Sequence, residues 1–212
     1  MSPFIKNWLL ANIPTTGTIV EAGTSDGTDT IEFVEIVKNG MVYAFEPIEE
    51  LYNITNEKIK NYKNIKYLQA ALSTEDGVQR MHVSLNGGQP WGSSSLLEPK
   101  EHLNVYQNIT FNNTVSVNTV NFDKFIQDNN INIIDFMWLD LQGYEPILLQ
   151  NSPVVLSRTK YLYTEVALIE TYKDTLIKSA FVSQLKNSGF EPIWELDETF
   201  EGNILLKNKN LI

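Results

Sequence analysis

Three short stretches of this chain set acidic side chains beside glycine in spacings that serve ligand chemistry. The first is Glu21-Ala22-Gly23-Thr24-Ser25-Asp26-Gly27. Its glycines, Gly23 and Gly27, allow backbone to approach a ligand, and a helix expected from Thr28 would aim free N–H groups at the same place. The stretch is not the G-x-G-x-x-G of dinucleotide sites. Asp26 would repel a pyrophosphate placed on the helix start, whereas Glu21 and Asp26 suit a ligand bearing ammonium and sulfonium charges. Ser25, Asp26 and Thr28 are also helix-capping residue types, so at least one of them is expected to cap.

The second stretch is Tyr43-Ala44-Phe45-Glu46-Pro47, whose acid stands 23 residues after Gly23. Nucleotide-binding sheets place a ribose-binding carboxylate about 20 residues beyond their glycine turn. Glu46 is therefore a candidate acceptor for two ribose hydroxyls. The third stretch runs from Ile134 to Glu145 and places Asp140, Gln142 and Glu145 at and beyond the end of a strongly apolar strand. Charge at such a point needs a partner or a ligand. Asp140 is the first candidate for a general base, with Glu165, which ends another strand, as the second. Glu145 also fits a helix cap. Two acids on neighbouring strands are thin grounds for a cation, and no metal is assigned. His82 reads as a half-exposed ladder residue, and His102 reaches the site only if its loop folds over. Trp91 with Ser93-Ser94-Ser95 suits contact with a sugar, against the simpler reading of Trp91 as a buried loop anchor.

These residues need strand ends to hold them together. Thr18 to Ala22, Met41 to Phe45 and Ile65 to Ala71 read as strands, separated by helices over 28–39 and from Pro47 to about Lys60. A parallel sheet built this way binds ligands at the carboxyl ends of its strands, where strand order reverses. Gln79 to Leu85 reads as an extra strand, and 86–113 as a long irregular loop, so about 79–114 forms an insertion in a single domain of 212 residues. Val115 to Val120, Ile133 to Leu141 and Tyr161 to Ala167 follow as strands, with helices over 122–128 and 174–188. Phe190 to Leu196 and Gly202 to Lys207 are separated by too few residues for a parallel crossover and must form an antiparallel hairpin. The fold expected is α/β and Rossmann-like, a mostly parallel sheet flanked by helices and closed by that hairpin.

Composition removes several classes. The chain has no cysteine, two histidines, and 26 acidic against 16 basic side chains for a net charge of −10. Thiolate zinc sites, iron–sulfur clusters and cysteine nucleophiles are excluded. The acidic balance argues against a nucleic-acid partner. No run approaches the ~20 apolar residues of a membrane span, and the N-terminal residues lack a secretory pattern, so a cytoplasmic location without membrane association is expected.

Taken together, Ile19 to Thr30, Val42 to Pro47 and Ile134 to Glu145 resemble the FkbM family of S-adenosylmethionine-dependent methyltransferases, over about residues 18–207. The third block is the family-specific one, and the first two mark class I methyltransferases generally. Where the family often has lysine and glutamate, this chain has Trp138 and Gln142. The resemblance implies S-adenosyl-L-methionine as cofactor and O-methylation of a hydroxyl on a small polar molecule or glycan. It implies that Glu21 and Gly23 lie near the methionine part, that Glu46 holds the ribose, that Ala71 and Leu72 border the adenine, and that Asp140 and Gln142 face the transferred methyl. The alternatives are an NAD-dependent oxidoreductase, disfavoured by the turn and the hairpin, and a non-catalytic nucleotide-binding module of the same fold.

Overall fold

Alternate residues of the central strands are apolar on both sides, which requires a layer of helices on each face of the sheet. The computed structural model, which describes residues 1–212, has this arrangement. Its main sheet contains β1 (Thr18–Ala22), β2 (Met41–Phe45), β3 (Ile65–Leu68), β8 (Ile134–Leu139), β9 (Thr159–Ala167), β10 (Phe190–Asp197) and β11 (Glu201–Asn208), in the order β10-β11-β9-β8-β1-β2-β3. The pairs among β1, β2, β3, β8 and β9 are parallel. The terminal hairpin is antiparallel, and β11 inserts between β9 and β10. Strand order reverses at β1, which pairs with β2 on one side and β8 on the other.

On one face Val20, Met137, Leu139, Leu162 and Ile204 pack against α5 (Phe122–Asp128), α6 (Glu145–Gln150), α7 (Pro153–Arg158) and α8 (Lys178–Asn187) through Phe122, Leu148, Val155 and Phe181. On the other, Ile19, Val42, Phe136 and Leu205 meet α1 (Pro3–Asn12) and α2 (Thr28–Ile36) through Ile5, Leu9 and Phe33. A buried side chain of this size stabilises by roughly 1.5–3 kcal/mol, so these two layers fix the strand ends firmly. No helix is long and apolar enough to cross a membrane.

A second sheet, ordered β4-β7-β5-β6, is built from β4 (Ala71–Ser73), β5 (Gly77–Asn86), β6 (Gln89–Pro90) and β7 (Ile109–Asn121). Several expected boundaries change because of it. The strand expected over 65–71 breaks at Gln69 and Ala70, since Ala71 leaves the main sheet to pair with Thr119. The long loop expected over 86–113 contains β6, a short α4 (His102–Val105) and the first half of β7, whose pairing with β5 overrides the poor strand propensity of Asn112-Asn113. Pro47 lies outside its helix, because Glu46 Oε1 accepts from Ile48 N at 2.9 Å and delays α3 to Glu49–Ile59. Leu176 and Ile177 precede α8, held by a bridge from Ile177 to Ala167 and by Thr175 Oγ1 donating to the Gly143 carbonyl at 2.8 Å.

Candidate functional site

The turn after β1 is drawn tightly against its neighbours. Gly23 has φ +87, its N–H donates to the Phe45 carbonyl at 3.1 Å, and Asp140 N donates to the Ala22 carbonyl at 3.0 Å. A Cβ at Gly23 would lie 2.0 Å from the Asp140 carbonyl oxygen, so only glycine admits this approach. The ends of β1, β2 and β8 thus converge at the strand-order reversal, where a ligand site is expected. A cleft of about 730 Å³, its mouth included, opens there. It is lined by Gly23, Ser25, Glu46, Ala71, Leu72 and Asp140, and by Met81, Trp91 and Leu96 of the second sheet and its connections.

Glu46 is the best-defined polar group of this cleft. Its Oε2 accepts from Ser25 N at 3.0 Å and its Oε1 from Ile48 N at 2.9 Å. A carboxylate offers about four lone-pair sites, so each oxygen retains capacity for a ligand hydroxyl. Burial pushes its pKa up to about 7, partly offset by those two backbone N–H groups. Glu21 lies beneath the turn, 1% exposed, with Oε2 lacking any partner, and burial raises its pKa to about 8.

Behind the cleft stands a group of acids tied by one amide. Gln142 Nε2 donates to Asp140 Oδ1 at 2.8 Å and to Glu165 Oε2 at 3.0 Å. Its Oε1 faces the Tyr172 hydroxyl at 3.0 Å. Glu145 Oε1 accepts from Leu141 N at 2.5 Å, and burial lifts its pKa to about 8. Asp140, Glu145 and Glu165 bring an oxygen each to within 4.8 Å of one another. Burial raises the pKa of both Asp140 and Glu165, and the Asp140 charge adds to the rise at Glu165.

Of the residues singled out from sequence, Gly23, Glu46, Ala71, Leu72 and Asp140 line the cleft, whereas Glu21, Gly27, Gln142 and Glu165 are not in its wall. Gly27, at φ +74, packs the start of α2 on α3, where a Cβ would meet Thr55 at 2.6 Å. The N-cap of α2 is Gly27, and Asp26, one residue before it, accepts from Thr28 N and Thr28 Oγ1 at 3.0 and 2.8 Å. Trp91 is not a buried anchor. Its backbone is anchored instead, Trp91 N donating to the Ser84 carbonyl at 2.9 Å and Ser84 Oγ to the Trp91 carbonyl at 2.8 Å, which leaves the ring 49% exposed at the cleft. The insertion does fold over the strand ends, with Ser95 Oγ donating to the Gln142 carbonyl at 2.8 Å. His102 is nonetheless a packing residue, buried against Tyr106, Phe111 and Tyr172 with its pKa lowered to about 4 by burial. His82 sits on β5 as a half-buried ladder residue opposite Thr114. Tyr144, at the cleft, and Tyr172 were not foreseen, and Tyr172 has no local signal because its partner lies 30 residues away.

Residues 21–192 match the family model described as "Methyltransferase FkbM domain". The chain is 28% identical over 196 residues to "2-O-methyltransferase NoeI" of Sinorhizobium fredii (strain NBRC 101917 / NGR234), covering 91% of this chain and 80% of the relative. Among solved structures it is similar to a SAM-dependent methyltransferase from Aquifex aeolicus (14% identity, 98% and 89% of the two chains, TM-score 0.52). It is also similar to an rRNA methylase from Streptococcus thermophilus (13%, 97% and 94%, TM-score 0.55). A third similar structure, Aeropyrum pernix fibrillarin with natively bound S-adenosyl-L-methionine, has 10% identity over 92% and 68% of the chains and a TM-score of 0.54.

Proposed function

The chain belongs to the FkbM methyltransferase family, and from that premise we propose how its cleft carries out S-adenosylmethionine-dependent O-methylation of a hydroxyl on a small polar molecule or glycan. The cofactor supplies an electrophilic methyl on a sulfonium. The residues present fit it: Gly23 admits close backbone approach, Glu46 keeps two free acceptor sites beside an apolar shelf, and Asp140 supplies an acid at the far end.

In this reading Glu46 accepts from the two ribose hydroxyls, while Ala71 and Leu72 border the adenine. Gly23 and the buried Glu21 beneath it set the methionine end. The tightly held turn fixes these groups before the ligand arrives, so little ordering cost remains on binding. Asp140 stands at the cleft wall and takes the proton of the acceptor hydroxyl, and Glu165, held close by through the Gln142 amide, keeps a second negative charge near it that favours the proton's arrival. Asp140 and Glu165 already have raised pKa values, which suits groups that must gain a proton during the reaction. The half-exposed Trp91 indole provides a stacking surface at the mouth for a sugar ring. We read the whole chain as one catalytic domain in which residues 79–114 cover the site. The similarity to a 2-O-methyltransferase favours a polyhydroxylated acceptor.

The observation that carries this assignment is the convergence of Glu46 and Asp140 on one cleft at the strand-order reversal. Titration with S-adenosylhomocysteine and with NAD tests it. Binding of the former alone is expected, and NAD binding in its place would overturn it. Among a panel of glycosides and polyols, transfer lost in both Asp140→Asn and Glu165→Gln is expected, and unchanged transfer in both would remove the base assignment.

A further inference from the structure

Gln142 is held on every side. It has a left-handed backbone at φ +54 before Gly143 at φ +88, and its carbonyl accepts from Ser95 Oγ of the insertion at 2.8 Å. Both amide hydrogens go to Asp140 and Glu165. Its Oε1 faces Tyr172, a fully buried residue whose ring packs on His102 and Phe111. The Tyr172 hydroxyl has a second acceptor, the Ser93 carbonyl of the insertion, at 2.6 Å. A phenol has one hydrogen, so it can donate to Ser93 or to Gln142 but not fully to both.

The two choices have different consequences. When the hydrogen points at Gln142 Oε1, the amide is locked with Nε2 toward the acids, which then stand as hydrogen-bond acceptors and favour the anionic form. When it points at the Ser93 carbonyl, the phenol presents a lone pair to Gln142. The carboxamide then gains by turning Nε2 to Tyr172 and Oε1 to the acids, one of which must take up a proton from solvent to donate in return. The other groups bearing on the charge of this pair are Asp29, Glu46, Glu145, Glu198 and Glu201, with the phenols of Tyr106 and Tyr163, and all of them are acidic or phenolic.

We propose that Tyr172 is a positioning residue that orients the Gln142 carboxamide and thereby sets whether the Asp140–Glu165 pair stands charged or protonated. The inference rests on the assignment of that pair to the methyl-transfer centre. It also makes Ser93 the point at which a movement of the insertion reaches the acids, because withdrawal of its carbonyl releases the phenol hydrogen to Gln142.

S-adenosylmethionine carries a sulfonium charge that S-adenosylhomocysteine lacks, so the ratio of their affinities reads the charge facing the sulfur. Calorimetric titrations of both compounds across the pH range in which the protein stays folded are expected to show the ratio rising with pH through a midpoint in the wild type. Tyr172→Phe, which keeps the ring packing, should move that midpoint upward by about half a pH unit or more. Its S-adenosylhomocysteine affinity should stay the same. Incorporation of 3-fluorotyrosine at position 172, which conserves volume and strengthens the donor, should move it downward. Trp91→Ala, in the same insertion but without a bond to Tyr172 or Gln142, should leave it in place. An unmoved midpoint in folded Tyr172→Phe or in the fluorinated protein, or an equal shift in Trp91→Ala, overturns the proposal. A flat ratio in the wild type would instead remove the pair from the methyl-transfer centre and the proposal with it. Failure of the wild type to bind either compound would sink the cofactor cleft itself.

Discussion

Replacing Glu46 with glutamine changes one atom and should cost most of an adenosine contact. In the native cleft the two oxygens of Glu46 accept from Ser25 N at 3.0 Å and Ile48 N at 2.9 Å, leaving one free site each. Glutamine has a single acceptor oxygen. It can serve one backbone N–H, and its amide group then opposes the other N–H and no longer accepts from the ribose hydroxyl on that side. A hydrogen bond to a charged group contributes about 1.5–3 kcal/mol, so loss of one ribose contact predicts a roughly ten- to 150-fold weaker Kd. Glu46→Ala, which loses both, should be weaker again by a similar factor. Calorimetry with S-adenosylhomocysteine at pH 8 reads this cleanly, since that pH lies above the pKa of about 7 and keeps the carboxylate charged. Below pH 7 the wild-type affinity should fall by up to about tenfold per pH unit, and Glu46→Gln should lose this slope. An affinity within threefold of wild type, with the same pH slope and a native circular dichroism spectrum, would show that Glu46 does not touch the ribose.

Stability should decline as pH rises. Glu21, Glu46 and Glu145 have folded pKa values raised to about 8, 7 and 8, so the folded state holds protons that the unfolded state has released. Their contribution is fully present below about pH 4.5 and is lost as pH rises through 7 to 8, at up to about 1.4 kcal/mol per pH unit for each group. Urea denaturation at pH 6 and 8.5 checks this, and equal or greater stability at the higher pH contradicts it. Glu145→Gln retains an oxygen for Leu141 N and should flatten part of that decline in the same measurement. Gly23→Ala should destabilise by more than the ~1–2 kcal/mol of left-handed strain, because its Cβ also strikes the Asp140 carbonyl, and its thermal midpoint should not recover on adding S-adenosylhomocysteine. Trp91→Ala, at a half-exposed ring, should leave stability within about 1 kcal/mol while raising the KM of a sugar acceptor; an unchanged KM would remove the stacking role.

The parts of the fold that could be read from sequence are those in which each segment decides its own structure. Thr18 to Ala22 and Met41 to Phe45 carry their strand pattern and their terminating residues within a few positions, and both strands have the expected limits. The terminal hairpin followed from loop length alone. Residues 109–114 did not, because Asn112-Asn113 resist the strand locally and only the partner β5 decides the outcome. Helix α1 went unassigned since its buried stripe is just Ile5 and Leu9, beside exposed Phe4 and Leu10. At the site, Gly23 and Glu46 announced themselves by spacing. The contact of Gln142 with Glu165 spans 23 residues and that with Tyr172 spans 30, separations at which only the assembled sheet brings the groups together.

The charge balance of the proposed reaction gives these raised pKa values a purpose. A cationic donor is held best by anions, yet the transfer removes its charge, and an anionic pocket alone would therefore favour the starting state over the product. At 4 Å and an effective dielectric of 20, one such attraction amounts to about 4 kcal/mol that would have to be given up. If Asp140 takes the acceptor proton, the pocket loses one negative charge in the same event in which the donor loses its positive one. A carboxyl with an ordinary pKa would hold that proton poorly. Burial of both Asp140 and Glu165, with the Asp29 charge adding at Asp140 and the Asp140 charge adding at Glu165, raises their proton affinity toward that of a group able to keep it through the transfer. In that reading the burial supplied by the apolar surroundings serves the chemistry as directly as the acids do, because it raises the affinity of the acids for the proton they are proposed to accept.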